Sequence, residues 1–420
     1  MLYSFAKILM TTGLRFFYRH IHVTGLENIP SKGPVIVIAN HNSSLMDAAL
    51  LGILLKRKAY FFARGDVFVN KFIKKILWWF HMMPVHSYQG GRNTLSANSN
   101  SFEAGRQILS KGGIIVFFPE STSHVEHQLL PFRKGVFRLA FDTAMAGNFS
   151  FDIPIVPIGI SYDHPVECRK DVQVHAGRAL WLSDFKKEYE DNPAVAILHV
   201  CRQAHQAINK LVLHIADYRR LSTAEQYLIV SRNNTSINAP GWKIASDEKL
   251  EREKSICKTI NNAPEDEFEN RQLRAGGYFN ALSAGGLTDK TISANLPFPF
   301  WKIILLWIGF PVYLAGLLLN GLPVLAARWI ADKKVYRKDF YSWIFVASYS
   351  VMYFLWLLLV LTVSLLAGWQ YAIILLALMV VTGLFAYACK GWLKEYSQYR
   401  KWRTISGNHI AELKAMRNSM

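Results

Sequence analysis

Short apolar runs, often β-branched or aromatic, punctuate the first half of the chain at residues 35–39, 59–63, 113–118 and 155–160. Each is short enough for a buried strand and is bounded by turn-forming residues. Between them apolar positions recur in steps of three and four, which predicts helices over residues 45–54, 102–109 and 134–146. Alternation of this kind predicts an α/β domain over residues 23–183, built on a mixed, largely parallel sheet covered by helices. From residue 184 to 298 the pattern turns helical. Ile197, Cys201, Ala204, Ile208, Leu211 and Ile215 form one apolar stripe along a helix expected over residues 193–218. Residues 247–271, dense in Glu and Lys, predict a solvated helix, and the Ala-Gly-Gly triplets at 275–277 and 284–286 predict breaks.

The last third is of another kind. Residues 303–327 carry no charge, and neither do residues 342–389. A membrane-spanning helix needs about 20 apolar residues, so the second run predicts a transmembrane helical hairpin turning at Gly368, Trp369 and Gln370. Pro311, Asn320, Gly321 and Pro323 interrupt the first run. At the other end, Leu2, Phe5, Leu9, Phe16 and Phe17 make a stripe edged by Lys7, Arg15 and Arg19. Residues 1–22 therefore read equally as an interfacial membrane helix or as an ordinary core helix. No signal-peptide cleavage pattern follows.

Charge narrows the partners. The 420 residues carry a formal charge of +18, which draws the chain toward an anionic membrane surface, a phosphorylated substrate or a nucleic acid. No nucleic-acid-binding motif accompanies the basic residues, so the first two are favoured. The four cysteines, Cys168, Cys201, Cys257 and Cys389, are not at metal-ligand spacings, and neither a disulfide framework nor a metal site is expected.

Asn40-His41-Asn42-Ser43-Ser44-Leu45-Met46-Asp47 follows the first strand directly. Loops at the carboxyl ends of strands are where α/β folds hold ligands. Histidine serves as a general base near neutral pH, and a carboxylate on its second nitrogen orients it and stabilises the imidazolium. Taken alone, a His and an Asp six apart are more often a structural pair. The segment 112–124 adds a strand ending in Phe118-Pro119-Glu120-Ser121-Thr122-Ser123-His124; Leu130-Pro131-Phe132-Arg133-Lys134-Gly135 comes next, then the strand Ile155-Val156-Pro157-Ile158-Gly159-Ile160. In this order, and with the lead-in Val23-Thr24-Gly25-Leu26-Glu27, the segments resemble the glycerolipid acyltransferase family of glycerol-3-phosphate and 1-acylglycerol-3-phosphate acyltransferases. The resemblance covers residues 23–177.

It implies His41 as catalytic base and Asp47 as its partner. Arg64 would hold the acceptor phosphate, Glu120 would position substrate in the acceptor pocket, and Pro157 would shape the acyl pocket. Two departures stand out. Five residues separate His41 from Asp47 where the common form has four. Neither spacing places the pair on one helical face, so His41 must lie in the loop, Asp47 in the first turn of the helix, and the extra residue in a bulge over residues 42–45. The longer spacing and Ser123-His124 both match one branch of the family. In addition, the common form's phosphate-binding arginine is missing at Ser123, and Ser121 stands where that form has glycine. Arg133 and Lys134 are the replacements for the missing charge, as guanidinium forks suit phosphate oxygens. His81, His86 and His124 take structural roles in this reading. Trp78, Trp79 and Phe80 either dip into lipid or join the core, and Lys71, Lys74 and Lys75 beside them suit anionic headgroups.

The resemblance implies transfer of a fatty acyl group from acyl-CoA or acyl carrier protein to glycerol 3-phosphate or 1-acylglycerol 3-phosphate, with no cofactor. Another lysolipid or amine acceptor is an alternative, and so is a silent membrane scaffold. The basic link before residue 342 and the basic tail 390–420 place both flanks of the hairpin on the cytoplasmic side. A catalytic domain facing the cytoplasm, where acyl thioesters are made, then favours a re-entrant or bent segment within residues 299–341 that does not cross, with a single kinked crossing as the alternative.

Overall fold

The computed structural model describes residues 2–68, 70–85, 92–235, 241–294 and 298–420. They form two compact units. One comprises Met1–His214, Pro240–Lys254 and Val335–Trp343; the other comprises Ile215–Ala239, Ser255–Lys334 and Ile344–Met420.

The first unit is the α/β domain. Its strands are β1 (Tyr18–Thr24), β2 (Val35–Ala39), β3 (Ala59–Arg64), β4 (Met82–Val85), β5 (Ile114–Phe117), β6 (Pro154–Tyr162), β7 (Lys170–Ala176), β8 (Leu180–Trp181) and β9 (Lys243–Ile244). They make one sheet in the order β4-β3-β5-β2-β6-β7-β1-β9, with β8 on β6. Every pairing is parallel except β6 with β7 and with β8. The expected mixed, largely parallel sheet is thus formed. Helices α1 (Leu2–Phe17), α2 (Leu45–Leu54), α3 (Lys71–Trp79), α4 (Arg92–Ser110), α5 (Gly135–Ala146), α6 (Lys186–Asp191) and α7 (Pro193–Asn209) complete the unit. The all-apolar β2 is buried along its whole length between β5 and β6, as a strand covered on both faces must be. Phe137, Phe141, Ile197, Val200 and Ala204 of α5 and α7 join Ile36, Ile38 and Ile155 of the sheet in one core.

The domain starts earlier than expected, since β1 precedes residue 23. Only Ile21 and Val23 are apolar between the polar Arg19, His20, His22 and Thr24, so no apolar run marks it. The polar side chains meet polar partners on β7 instead: Arg19 Nε and His22 Nε2 lie 2.9 and 3.4 Å from Asp171, and Thr24 Oγ1 is 2.7 Å from His175 Nδ1. Burial would raise the Asp171 carboxyl, but bonds from His22 and Arg19 outweigh it and hold it well below the usual carboxylate range.

Three helical expectations are corrected. Helix α7 stops at Asn209, short of residue 218. It starts crisply at an Asn192 cap with Pro193 in its first turn. The stretch 247–271 is not one solvated helix but two, α9 (Glu248–Asn262) and α10 (Glu265–Ala284), split before Pro264. Lys249 and Glu253 of α9 are buried with Asp163: Lys249 Nζ lies 2.9 Å from Asp163 and 2.7 Å from Glu253. Residues 275–277 are interior to α10, whereas the 284–286 break is real.

The second unit is helical: α8 (Leu221–Asn234), most of α9 and α10, α11 (Asp289–Ala294), α12 (Phe300–Ile308), α13 (Phe310–Lys334), α14 (Lys338–Ala367), α15 (Trp369–Thr404) and α16 (Gly407–Asn418). Helices α14 and α15 meet at Gly368, where the hairpin turn was expected. Pro311 and Asn320 both lie inside a continuous helix, so the chain does not reverse at either. Apart from a short break at Gly309, residues 310–334 run as one helix, and α13, α14 and α15 are each long and apolar enough to span a bilayer.

The residues read as breakers are accommodated by neighbouring helices. Gly316 lies so close to Thr382 that a Cβ would sit 2.2 Å from its carbonyl oxygen, the close approach that small residues permit between membrane helices. Asn320 Nδ2 donates to the Met379 carbonyl at 3.1 Å, and its Oδ1 accepts from Tyr353 at 2.6 Å. Pro323 cannot donate to the carbonyl four residues back, that of Leu319. The Trp356 indole N–H donates there instead, at 2.7 Å.

Candidate active site

The site grows from the carboxyl end of β2. Asn40, the residue after the strand, uses its side chain as a further rung of the ladder: Oδ1 accepts from Ile160 N at 2.7 Å and Nδ2 donates to Ile160 O at 2.8 Å. The ladder to β6 is satisfied without the backbone, so the chain is released to turn and His41 stands at the rim of the sheet. The backbone of His41 is then fixed by the turn following the neighbouring strand, β5. His41 N donates to Glu120 Oε1 at 2.8 Å, and His41 O accepts from His124 N at 3.2 Å. Phe118 stacks on the imidazole at 4.2 Å between centroids and 16° between planes.

Asp47 sits in the first turn of α2, and its Oδ2 lies 2.9 Å from His41 Nδ1. The same oxygen accepts from Ser43 N at 2.8 Å, and Oδ1 accepts from the Tyr162 hydroxyl. The carboxylate has no exposed surface, whereas the His41 side chain keeps 18%. A buried charge of this kind is tolerable only when its lone pairs are filled. The extra residue is absorbed where expected: Ser44, the residue before α2, takes φ 44° and ψ −129°, a conformation that costs a side-chain-bearing residue of order 1–3 kcal/mol. Burial first, then the adjacent Asp47 charge, pushes the Tyr162 phenol well above the usual tyrosine range, so it stays a donor. With Nδ1 engaged, His41 Nε2 has no protein partner among the described residues.

Other expected residues fall into place unevenly. Glu120 is buried beside His41, and its carboxylate is bonded to the protein's own donors. Its Oε1 holds His41 N, and its Oε2 takes Leu130 N at 3.0 Å and His124 Nε2 at 3.2 Å. The structure makes it the clamp of the catalytic loop. Ser121 is exposed at φ 61°, in the left-handed region where glycine is at ease. Arg133 and Lys134 are exposed, and Arg133 N donates to Pro119 O at 2.8 Å, which ties their loop to the Pro-Glu turn. Arg64 ends β3, at the same edge of the parallel sheet; its side chain lies outside the described residues. Pro157 is buried in β6 opposite Ile38, a rung below the rim, and is structural here. His81 and His124 are embedded in backbone and side-chain contacts, and His86 lies outside the described residues. Trp78 and Trp79 are exposed at the far end of α3, just ahead of β4, with Lys74 and Lys75 over their rings.

Sequence reasoning missed Tyr162, Asn40 and Phe118. Tyr162 lay two residues past the expected end of β6. Ser123 and Asp339 were missed too. The Ser123 hydroxyl donates to Asp339, and Arg337 Nη2 lies 2.7 Å from that same carboxylate, so the start of α14 is tied to the Pro-Glu turn.

With this geometry in view, the comparisons can be weighed. Residues 20–161 match the family model described as Acyltransferase, a span that begins in β1 and ends one residue before Tyr162. Over this span the chain is similar to an acyltransferase domain. The domain is similar to a chloroplast 1-acyl-sn-glycerol-3-phosphate acyltransferase of Brassica napus, at 30% identity over 36% of this chain and 40% of that one. An Arabidopsis thaliana chloroplast protein of the same name is 32% identical over 34% of this chain and 38% of that one. A glycerol-3-phosphate O-acyltransferase of Saccharomyces cerevisiae is 24% identical over 30% of this chain and 17% of that one. The chain therefore spans less than half the length of these relatives. Among solved structures, the 1-acyl-sn-glycerophosphate acyltransferase of Thermotoga maritima aligns with a TM-score of 0.35 at 19% identity, covering 48% of this chain and 78% of that one.

Proposed function

We propose that this protein is a membrane-bound O-acyltransferase that moves a fatty acyl group from acyl-CoA or acyl carrier protein to the hydroxyl of glycerol 3-phosphate or 1-acylglycerol 3-phosphate. The observation that carries the reading is the 2.9 Å contact of His41 Nδ1 with Asp47 at the rim of the sheet, with Nε2 left available. Asp47 holds the tautomer in which Nδ1 bears the proton, so Nε2 presents its lone pair. Nε2 takes the proton from the acceptor hydroxyl as that oxygen attacks the thioester carbonyl. The tetrahedral intermediate collapses by breaking the carbon–sulfur bond, and the imidazolium returns its proton to the departing thiolate. The donor is already activated, so the transfer calls for no redox cofactor.

Arg133 and Lys134, exposed beside the Pro-Glu turn, supply charge for the acceptor's phosphate, and Arg64 at the same edge adds to it. The names of the relatives favour this acceptor class. Helices α13, α14 and α15 hold the protein at an anionic phospholipid membrane, and the acyltransferase domain shares the cytoplasmic side with the basic link before α14, which is bonded to it through Asp339 and Ser123. The test is a panel. The full-length protein in nanodiscs receives labelled acyl-CoA or acyl carrier protein with glycerol 3-phosphate, 1-acylglycerol 3-phosphate or other lysolipids. Turnover on one of the first two acceptors, abolished in His41→Ala, is expected. A His41→Ala protein as active as wild type would rule out the base, and inactivity on every acceptor would point to a scaffold.

A further inference from the structure

The catalytic carboxylate is held from two sides by unlike means. Oδ2 of Asp47 faces His41 Nδ1 and Ser43 N, both from its own loop. Oδ1 points the other way, into the sheet, and accepts from the hydroxyl of Tyr162. Tyr162 is the last residue of β6, registered against Val172 of β7, and only 2% exposed. Its ring lies 6.0 Å from that of the fully buried Tyr18 of β1. The phenol is therefore delivered by the sheet rather than by the catalytic loop, and packing on both sides fixes its direction.

We infer that Tyr162 is a positioning residue for acyl transfer: its phenol fixes the plane of the Asp47 carboxylate and draws charge away from the oxygen that faces His41. This rests on the reading of His41 as the base. A neutral donor on Oδ1 weakens the hold of Oδ2 on a protonated imidazole. Without the phenol the carboxylate stays bonded to Ser43 N and to His41, but its charge is concentrated on fewer donors. The imidazolium is then held more tightly, and the base becomes available only at higher pH. The ionisable groups around the pair are Tyr162 and Tyr18 on the sheet side and Glu120, His124 and Glu126 on the side of the Pro-Glu turn. Tyr162→Phe alters none of those in the turn.

The experiment is the pH profile of kcat/KM for wild type, Tyr162→Phe and His41→Ala, each as the full chain in nanodiscs with the best acceptor. In Tyr162→Phe the acid limb should move up by about half a pH unit or more, and kcat should fall about tenfold with KM within about twofold, the scale of losing one bond to a charged group. A profile that keeps its wild-type limb overturns the inference, whether the rate is unchanged or is lowered along with the thermal midpoint. 3-Fluorotyrosine introduced in place of Tyr162 keeps the shape and makes a stronger donor, so its limb should move down; a limb that stays or rises counts against the inference. Full activity in His41→Ala defeats the base reading and this inference together, whereas an inactive His41→Ala beside an unmoved Tyr162→Phe limb defeats this inference alone.

Discussion

Replacing Glu120 with Gln removes one oxygen and one charge at the point where two loops meet. The wild-type carboxylate serves three donors: His41 N on one oxygen, and Leu130 N and His124 Nε2 on the other. A glutamine has a single acceptor oxygen. Turned toward His41, it sets its NH2 against the Leu130 N–H; turned the other way, it sets the NH2 against the His41 N–H. In either case a buried backbone donor goes unmet, at a cost of about 1–3 kcal/mol. For a unit of this size that is a fall in thermal midpoint of roughly 2–4 °C per kcal/mol.

A second effect falls on His124. Burial acts to lower its pKa, but the hydrogen bond and charge of Glu120, with Glu126 on the other ring nitrogen, outweigh burial and raise it above the ordinary 6.5. A group raised in the folded protein contributes stability in full below its unfolded value, and loses that contribution as pH rises through the folded value. The deficit of Glu120→Gln should therefore be largest below pH 6.5 and should shrink above it toward the backbone cost alone. Thermal melts across this range measure the first quantity, and an NMR titration of His124 the second. If His124 titrates unchanged in Glu120→Gln, or if the deficit grows with pH, the clamp assigned to Glu120 is wrong.

Other outcomes follow from single contacts. Ser121→Gly should raise stability by about 0.5–1 kcal/mol, read as a higher melting temperature, because relief of the left-handed backbone exceeds the entropy that glycine adds to the unfolded chain. Lys249→Met should cost about 3–5 kcal/mol, seen as a lowered thermal midpoint, since the buried carboxylates of Asp163 and Glu253 would be left without their shared cation.

The central strands were legible because they are buried on both faces: residues 35–39, 59–63 and 155–160 read as strands from apolar content alone, and α2 was bounded correctly. Where the inward face is polar the same reading fails. β1 and β7 alternate over residues 20–24 and 171–176, but their polar positions, among them His22, Asp171, Gln173 and His175, are buried as well, so a search for apolar runs passes over both. The pair His41 and Asp47 and the bulge at Ser44 were accessible from spacing. Tyr162 was not, because its role depends on the register of β6 against the catalytic loop, a three-dimensional relation that no local pattern carries. Glu120 was placed at the site, but its bonds to His41 N, Leu130 N and His124 were not foreseen, since sequence shows that a carboxylate is present and not what occupies its oxygens. The expected bend at Asn320 failed for a related reason: a polar residue in an apolar run reads as a break until its partners, Met379 and Tyr353, are known.

The bond from Trp356 to the Leu319 carbonyl bears on how the chain enters a bilayer. Alone in hydrocarbon, residues 310–334 would present an orphaned carbonyl opposite Pro323, a deterrent to partitioning, while the Asn320 amide would keep only its 3.1 Å bond to Gly316 O of the same helix. The carbonyl is met by the Trp356 side chain of α14, and Asn320 gains the Tyr353 hydroxyl of α14 and the Met379 carbonyl of α15, all synthesised later. The first of the three long apolar helices would therefore enter hydrocarbon more readily in the company of α14 and α15 than by itself.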